Sequence, residues 1–167
     1  MIIENKMGYW ERIAHKDVQA IVTTTNNVIK NDGSLVMGAG ISAQFNKEFP
    51  FLAQRWGAVV QGMAEGGHND YFILIDGPRQ WNNGDVIYLV GLQTKRNWKD
   101  PSDIELIVES CKKLRDLADI LKWDRIICPA FGCGYGGLVF KDVEKKISKI
   151  LDDRFIIIGL SPDGTTL

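Results

Sequence analysis

Short β-branched runs alternate along this chain with segments whose apolar residues recur every three or four positions, the periods of strand and helix. The first strand expected is Ala20-Ile21-Val22-Thr23-Thr24. A polar, glycine-rich stretch ending in "LVMGAG" follows it, and then a helix with Ile41 and Phe45 four apart. Pro50 stops or kinks that helix, and Leu52, Trp56, Val59, Val60 and Met63 carry an apolar stripe beyond it. Two more strands, Tyr71 to Asp76 and Val86 to Gly91, are joined by "GPRQWNNGD", which is dense in turn residues. A helix is expected to start at Ser102, where Ser102 and Glu105 match a capping box, with a face of Ile104, Ile107, Val108, Cys111, Leu114, Leu117 and Leu121. Arg125 to Cys128 is a strand, Phe140, Val143, Ile147, Ile150 and Leu151 mark a last helix, and Phe155 to Leu160 a final strand. This alternation implies an α/β fold, a three-layer sandwich with helices on both faces of a mixed, mostly parallel sheet.

Composition narrows the class. With 167 residues, 45% of them apolar, the chain has the size and apolar content of one globular domain, and it shows no repeat or linker. Its apolar runs are too short to span a membrane, and Met1-Ile2-Ile3-Glu4 does not resemble a signal peptide, so a cytoplasmic protein is expected. Cys111, Cys128 and Cys133 lack CxxC spacing, and His15 and His68 add little to a ligand set. The expectation is reduced thiols, no metal, no cofactor and a monomer. A net charge of -1 excludes a protein that grips nucleic acid mainly through phosphates.

Two segments share one design: in "VMGAGIS" (36–42) and "FGCGYGG" (131–137) a strand feeds a glycine loop that opens a helix. Glycine lets main-chain N–H groups approach a ligand closely, and a helix N-terminus adds partial positive charge, so such loops suit phosphates. Two of them suit a diphosphate in the crevice at the carboxyl ends of the strands. Gly132, Gly134 and Gly137 also match G-x-G-x-x-G, but a dinucleotide fingerprint belongs in a first βαβ unit, and here a single strand remains after it.

These residues resemble the macrodomains, α/β/α modules that bind ADP-ribose. "QAIVTTTN" is similar to the family's strand ending in asparagines, "VMGAGISAQFNKEFP" to its first ligand loop and helix, and "CPAFGCGYGGLVFKDV" to its second loop. The likeness runs over almost the whole chain. "LQTKRNWKDPSDIE" (92–105) points to the subgroup of DNA ADP-ribosyl glycohydrolase antitoxins and terminal ADP-ribose protein glycohydrolases, whose catalytic Lys corresponds to Lys95. The resemblance implies that Val36, Met37, Gly38, Ala39, Gly40, Ile41 and Gln44 bind ligand from the first loop and its helix. Phe131, Gly132, Cys133, Gly134, Tyr135, Gly136, Gly137 and Leu138 would do so from the second, with Tyr135 as a wall. Asn26, or Asn27, would bind the distal ribose. Gln19, or Asp17 if the register slips, would stand where the family has its adenine-binding Asp, with Ala20 and Ile21 beside it among the ligand-binding residues.

Lys95 suits the chemistry on its own terms, although "TKRNWK" equally fits a solvated basic loop. Cleavage at an anomeric carbon passes through an oxocarbenium-like state, and a neutral amine can attack that carbon or form a Schiff base with the opened sugar. Burial, together with Arg96 and Lys99, would lower its pKa. Protein-directed members of the subgroup carry an acid/base Asp in the second loop, whereas DNA-directed members have Gly; Gly136 stands there in this chain. The substrate implied is therefore ADP-ribose on a nucleic-acid base, or else on a protein carboxylate. A patch of Arg79, Lys95, Arg96 and Lys99, with Trp81 and Trp98 for stacking, would touch single-stranded nucleic acid, although both Trp residues equally fit packing roles. Cys133 reads either as a thiol activated at a helix N-terminus or as a small apolar residue. An ADP-ribose 1''-phosphate phosphatase and a non-catalytic ADP-ribose reader are the alternative activities.

Overall fold

A computed structural model describes residues 1–15, 17–81 and 84–159. In chain order the elements are β1 (Ile2–Glu4), α1 (Tyr9–Ile13), β2 (Ala20–Thr25), α2 (Gly40–Glu48), α3 (Leu52–Glu65), β3 (Ile73–Trp81), β4 (Asp85–Gln93), α4 (Ile104–Leu121), β5 (Ile126–Pro129), α5 (Phe140–Ile147) and β6 (Phe155–Ile158). The strands form one sheet in the order β1-β6-β5-β2-β4-β3, parallel throughout except for the antiparallel edge pair β3–β4.

Successive strand residues point to opposite faces, and both faces are apolar because both are covered. Ala20, Val22, Val90, Ile126, Cys128 and Phe155 meet Ile107, Cys111 and Leu114 of α4 and Val143 and Ile147 of α5. Ile21, Leu89, Ile127 and Ile156 meet Tyr9 of α1, Phe45 of α2 and Leu52 and Trp56 of α3. The result is the expected α/β/α sandwich, with β2 feeding helices on one face and β5 feeding a helix on the other. Among the described residues no helix is long and apolar enough to cross a membrane.

Several elements differ from the sequence expectation. "GPRQW" is not a turn: it continues β3, with a register shift between Asp76 and Arg79 that accommodates Pro78 in an edge strand. The helix cap at α4 is Asp103 rather than Ser102, its carboxylate accepting from the N–H of Glu105 (3.0 Å) and Leu106 (3.2 Å). Val59 faces out at 48% exposure, since it and Val60 cannot share the buried stripe of α3. β6 ends at Ile158, and Leu160 lies outside the described residues. β1 and α1, three and five residues long, are too short to show a periodicity.

Candidate functional site

β2 and β5 pair only through Ala20–Ile126 and Ile21–Ile127. Beyond that point the hydroxyl of Tyr9 stands between them, accepting from the Val22 N–H (2.9 Å) and donating to the Val22 carbonyl (2.6 Å), with the Ile127 carbonyl 3.2 Å away. The strands part, and their connections leave to opposite faces. This is a switch point of the kind where open α/β sheets hold ligands.

Both glycine loops rise there. Gly38, Ala39 and Gly40 are exposed over buried Met37, and Gly40 opens α2 with φ +55°. In the second loop Gly132 and Gly137 have φ +73°, a region that glycine adopts without strain. Main-chain bonds Leu138 N–H to Gly132 O (2.9 Å) and Gly137 N–H to Gly134 O (3.0 Å) curl it on itself over buried Phe131. The two loops meet: a Cβ at Gly40 would lie 3.5 Å from the ring of Tyr135, which is 81% exposed. Neither α2 nor α5 carries a side-chain cap, so the first-turn N–H groups of both are left without a side-chain acceptor.

Gly136 is glycine for want of space. A Cβ there would lie 2.2 Å from Ser102 Oγ and 2.4 Å from the Gly132 carbonyl oxygen, and Ser102 N–H donates to the Gly136 carbonyl at 2.9 Å. An Asp cannot stand at this position in this backbone.

Lys95 follows β4. Thr94 N–H bonds Thr25 O (3.1 Å) and Asn27 N–H bonds Arg96 O (3.0 Å), extending the β2–β4 pairing so that Lys95 runs alongside Asn26 and Asn27. Its half-buried ammonium donates to Asp100 O at 2.9 Å. Burial pushes its pKa below the ordinary 10.5, and the Asp100 carboxylate partly opposes that. Arg96 and Lys99 do not supply the shift. The Arg96 guanidinium is held by Asp70 (2.8 and 3.0 Å) and Asp103 (2.9 Å), which offsets its charge and anchors the loop.

The Macro domain family matches residues 22–147, a span that includes both glycine loops and Lys95. This chain belongs to the macro domain family. A DNA ADP-ribosyl glycohydrolase of Thermus aquaticus is 31% identical over 136 residues, 81% of this chain and 34% of that protein. The macro domain thus spans about a third of the curated relatives it matches. Among solved structures, the macrodomain of Thermus aquaticus DarG superposes with a TM-score of 0.67 at 24% identity, covering 94% of this chain and 95% of the other. Thermosipho africanus DarTG in complex with ADP-ribose gives 0.66 at 20% identity, covering 85% and 38%.

In this macro domain some sequence-expected residues lie elsewhere. Gln19 precedes β2, where its Oε1 accepts from the N–H of Asp124 (3.1 Å) and Arg125 (2.7 Å), just before β5. Because β2 and β5 run parallel, this is the end of the sheet opposite the glycine loops, and Ala20 and Ile21 are buried within the sheet. The structure does not bring those three residues to the glycine loops. Asn26 donates to Val36 O (3.0 Å) and accepts from Val28 N–H (2.9 Å), so it braces the first loop; one amide hydrogen is left over for a ligand. Asn27 bonds Gln93 and the Asn69 carbonyl. Gln44 turns to Trp10, accepting from its Nε1 at 2.7 Å.

The patch also shrinks. Trp81 is packed against Trp10 (6.2 Å between rings) and Phe49 (5.9 Å), and Arg79 lies over Phe51 at 4.0 Å while bonding Asp76. Trp98 remains half-exposed, with the Lys99 ammonium 5.3 Å from its ring. Burial pushes the Cys133 thiol up to about 11, which favours the packing role over a reactive one. His15 and His68 are surface residues. The sequence gives no sign of what Tyr9 and Asp70 do, or of the contact of Ser102 with Gly136, because each acts on residues distant in the chain.

Proposed function

We propose that this macro domain binds ADP-ribose across its two glycine loops and removes it from a nucleic-acid base. The observation that carries the reading is Lys95: a half-buried amine with a lowered pKa on the segment that packs against the second loop through Ser102. The diphosphate would take the uncapped N–H groups of the loops, leaving the distal ribose toward Asn26 and Lys95. A neutral Lys95 Nζ gives its electron pair to the anomeric carbon as the base leaves with the glycosidic pair and takes a proton from water. Water then displaces the amine, so that one water is consumed and free ADP-ribose is released. Gly136 leaves no room for a protein acid, so the leaving group departs without a proton from this loop and takes it from water. The name of the Thermus aquaticus relative supports the same class of reaction. Trp98 and Lys99 would contact the single strand that carries the base, and the chain would act in the cytoplasm as a monomer.

Titration calorimetry with ADP-ribose, run beside mass-spectrometric turnover of thymidine-linked and glutamate-linked ADP-ribose, tests this. Wild type is expected to release ADP-ribose from the thymidine linkage, and Lys95→Ala to bind ADP-ribose without releasing it. Binding without turnover by wild type would leave a reader, and turnover of the 1''-phosphate alone would leave a phosphatase.

A further inference from the structure

A cavity of about 490 Å³ lies between the 27–33 segment, α3 and Asn69, and no residue of the 36–42 or 131–137 loops lines it. Its volume is that of a small-molecule site. Ile29 and Val60 give it an apolar floor, and Asn31, Gln61 and Asn69 bring amides to its walls. Lys30 brings a cation, and no carboxylate lines it. The inner wall is rigid: Asn27 Oδ1 accepts from Gln93 at 2.6 Å, its Nδ2 donates to the Asn69 carbonyl, and its N–H bonds Arg96 O at 3.0 Å. That last bond ties the cavity to the residue next to Lys95. Amides offer a donor and an acceptor together, the pattern that reads the edge of a nucleobase. An apolar floor suits the face of a base, and one lysine suits one backbone phosphate.

We propose that this cavity receives a nucleobase of the single-stranded DNA that carries the ADP-ribose, with Lys30 on a flanking phosphate. The inference rests on the nucleic-acid-directed reading above and assigns where that strand is read. Glycosidic cleavage at Lys95 then has ADP-ribose in the loops on one side and the strand in this cavity on the other.

Steady-state kinetics on an ADP-ribosylated single-stranded oligonucleotide test it, with Ala64→Trp to fill the cavity from an exposed helix position and Lys30→Ala to remove the cation. Ala64→Trp is expected to raise KM about tenfold while the ADP-ribose Kd by calorimetry stays at the wild-type value. Lys30→Ala should lower the slope of log KM against log salt by about 0.7. Unchanged KM and salt slope in two folded variants would overturn the proposal, as would a KM rise confined to a glutamate-linked peptide. Should wild type release nothing, fluorescence anisotropy with the unmodified oligonucleotide separates the two ideas. Binding that Ala64→Trp abolishes keeps the cavity as a base site while the enzyme reading falls, and no binding by wild type removes both.

Discussion

Ser102 Oγ occupies the place of a side chain at Gly136: a Cβ on that glycine would fall 2.2 Å from it. The hydroxyl is buried and has no hydrogen-bond partner, so it adds packing contact to the main-chain bond, Ser102 N–H to Gly136 O at 2.9 Å, that joins the second glycine loop to the Lys95 segment. Gly136→Asp must therefore displace both Ser102 and the Gly132 carbonyl. We expect it to destabilise the fold by about 1–3 kcal/mol or more and to add no acid/base function. Urea denaturation gives the first number and turnover the second; Ser102→Gly should not rescue it, because the Gly132 main chain stays 2.4 Å away.

Lys95 is expected to set the pH dependence of turnover. Its folded pKa lies below 10.5, so the neutral, nucleophilic form grows as pH rises through that value. A kcat that climbs with pH and levels off below 10.5 is expected, and Lys95→Arg should be inactive at every pH because arginine stays charged. The sign for stability runs the same way. Between the folded and unfolded pKa values the unfolded chain holds more protons, so this residue's contribution improves with rising pH. A flat kcat–pH profile would remove Lys95 as the nucleophile.

Tyr9 should matter to the fold more than its place in a five-residue helix suggests. Tyr9→Phe strips the Val22 N–H of its acceptor inside the sheet, which costs about 1–3 kcal/mol for a buried donor. The check is the denaturant midpoint at unchanged slope. A neutral Tyr9→Phe would mean that the strand gap needs no plug.

Trp98 and Trp81 should separate in opposite directions. Trp98→Ala is expected to weaken single-stranded DNA binding by about 1–3 kcal/mol without lowering the melting temperature, since the ring is half-exposed. Trp81→Ala should lower the melting temperature instead, by unpacking Trp10 and Phe49. Anisotropy and thermal melts on the same two proteins check both.

Much of this was visible in one dimension. Strand and helix periods act over a few residues, so β2, β4, α4, α5 and the two-sided sandwich could be read from spacing, and so could the two loops, because glycine clusters mark where main chain must come close to something. Lys95 stood out through resemblance rather than through its neighbours. Tertiary structure alone decided the rest. Gln19 has a ligand-like position in the sequence, yet parallel pairing of β2 with β5 carries it to the far end of the sheet. Tyr9 reaches Ile127 across 118 residues, Ser102 underlies Gly136, and Asp70 and Asp103 hold Arg96. The cavity lined by Asn27 and Lys30 draws on three separate segments. None of these has a local signature, because each depends on where distant stretches of chain come to lie together, and sequence spacing carries information only over the range at which the backbone itself is correlated.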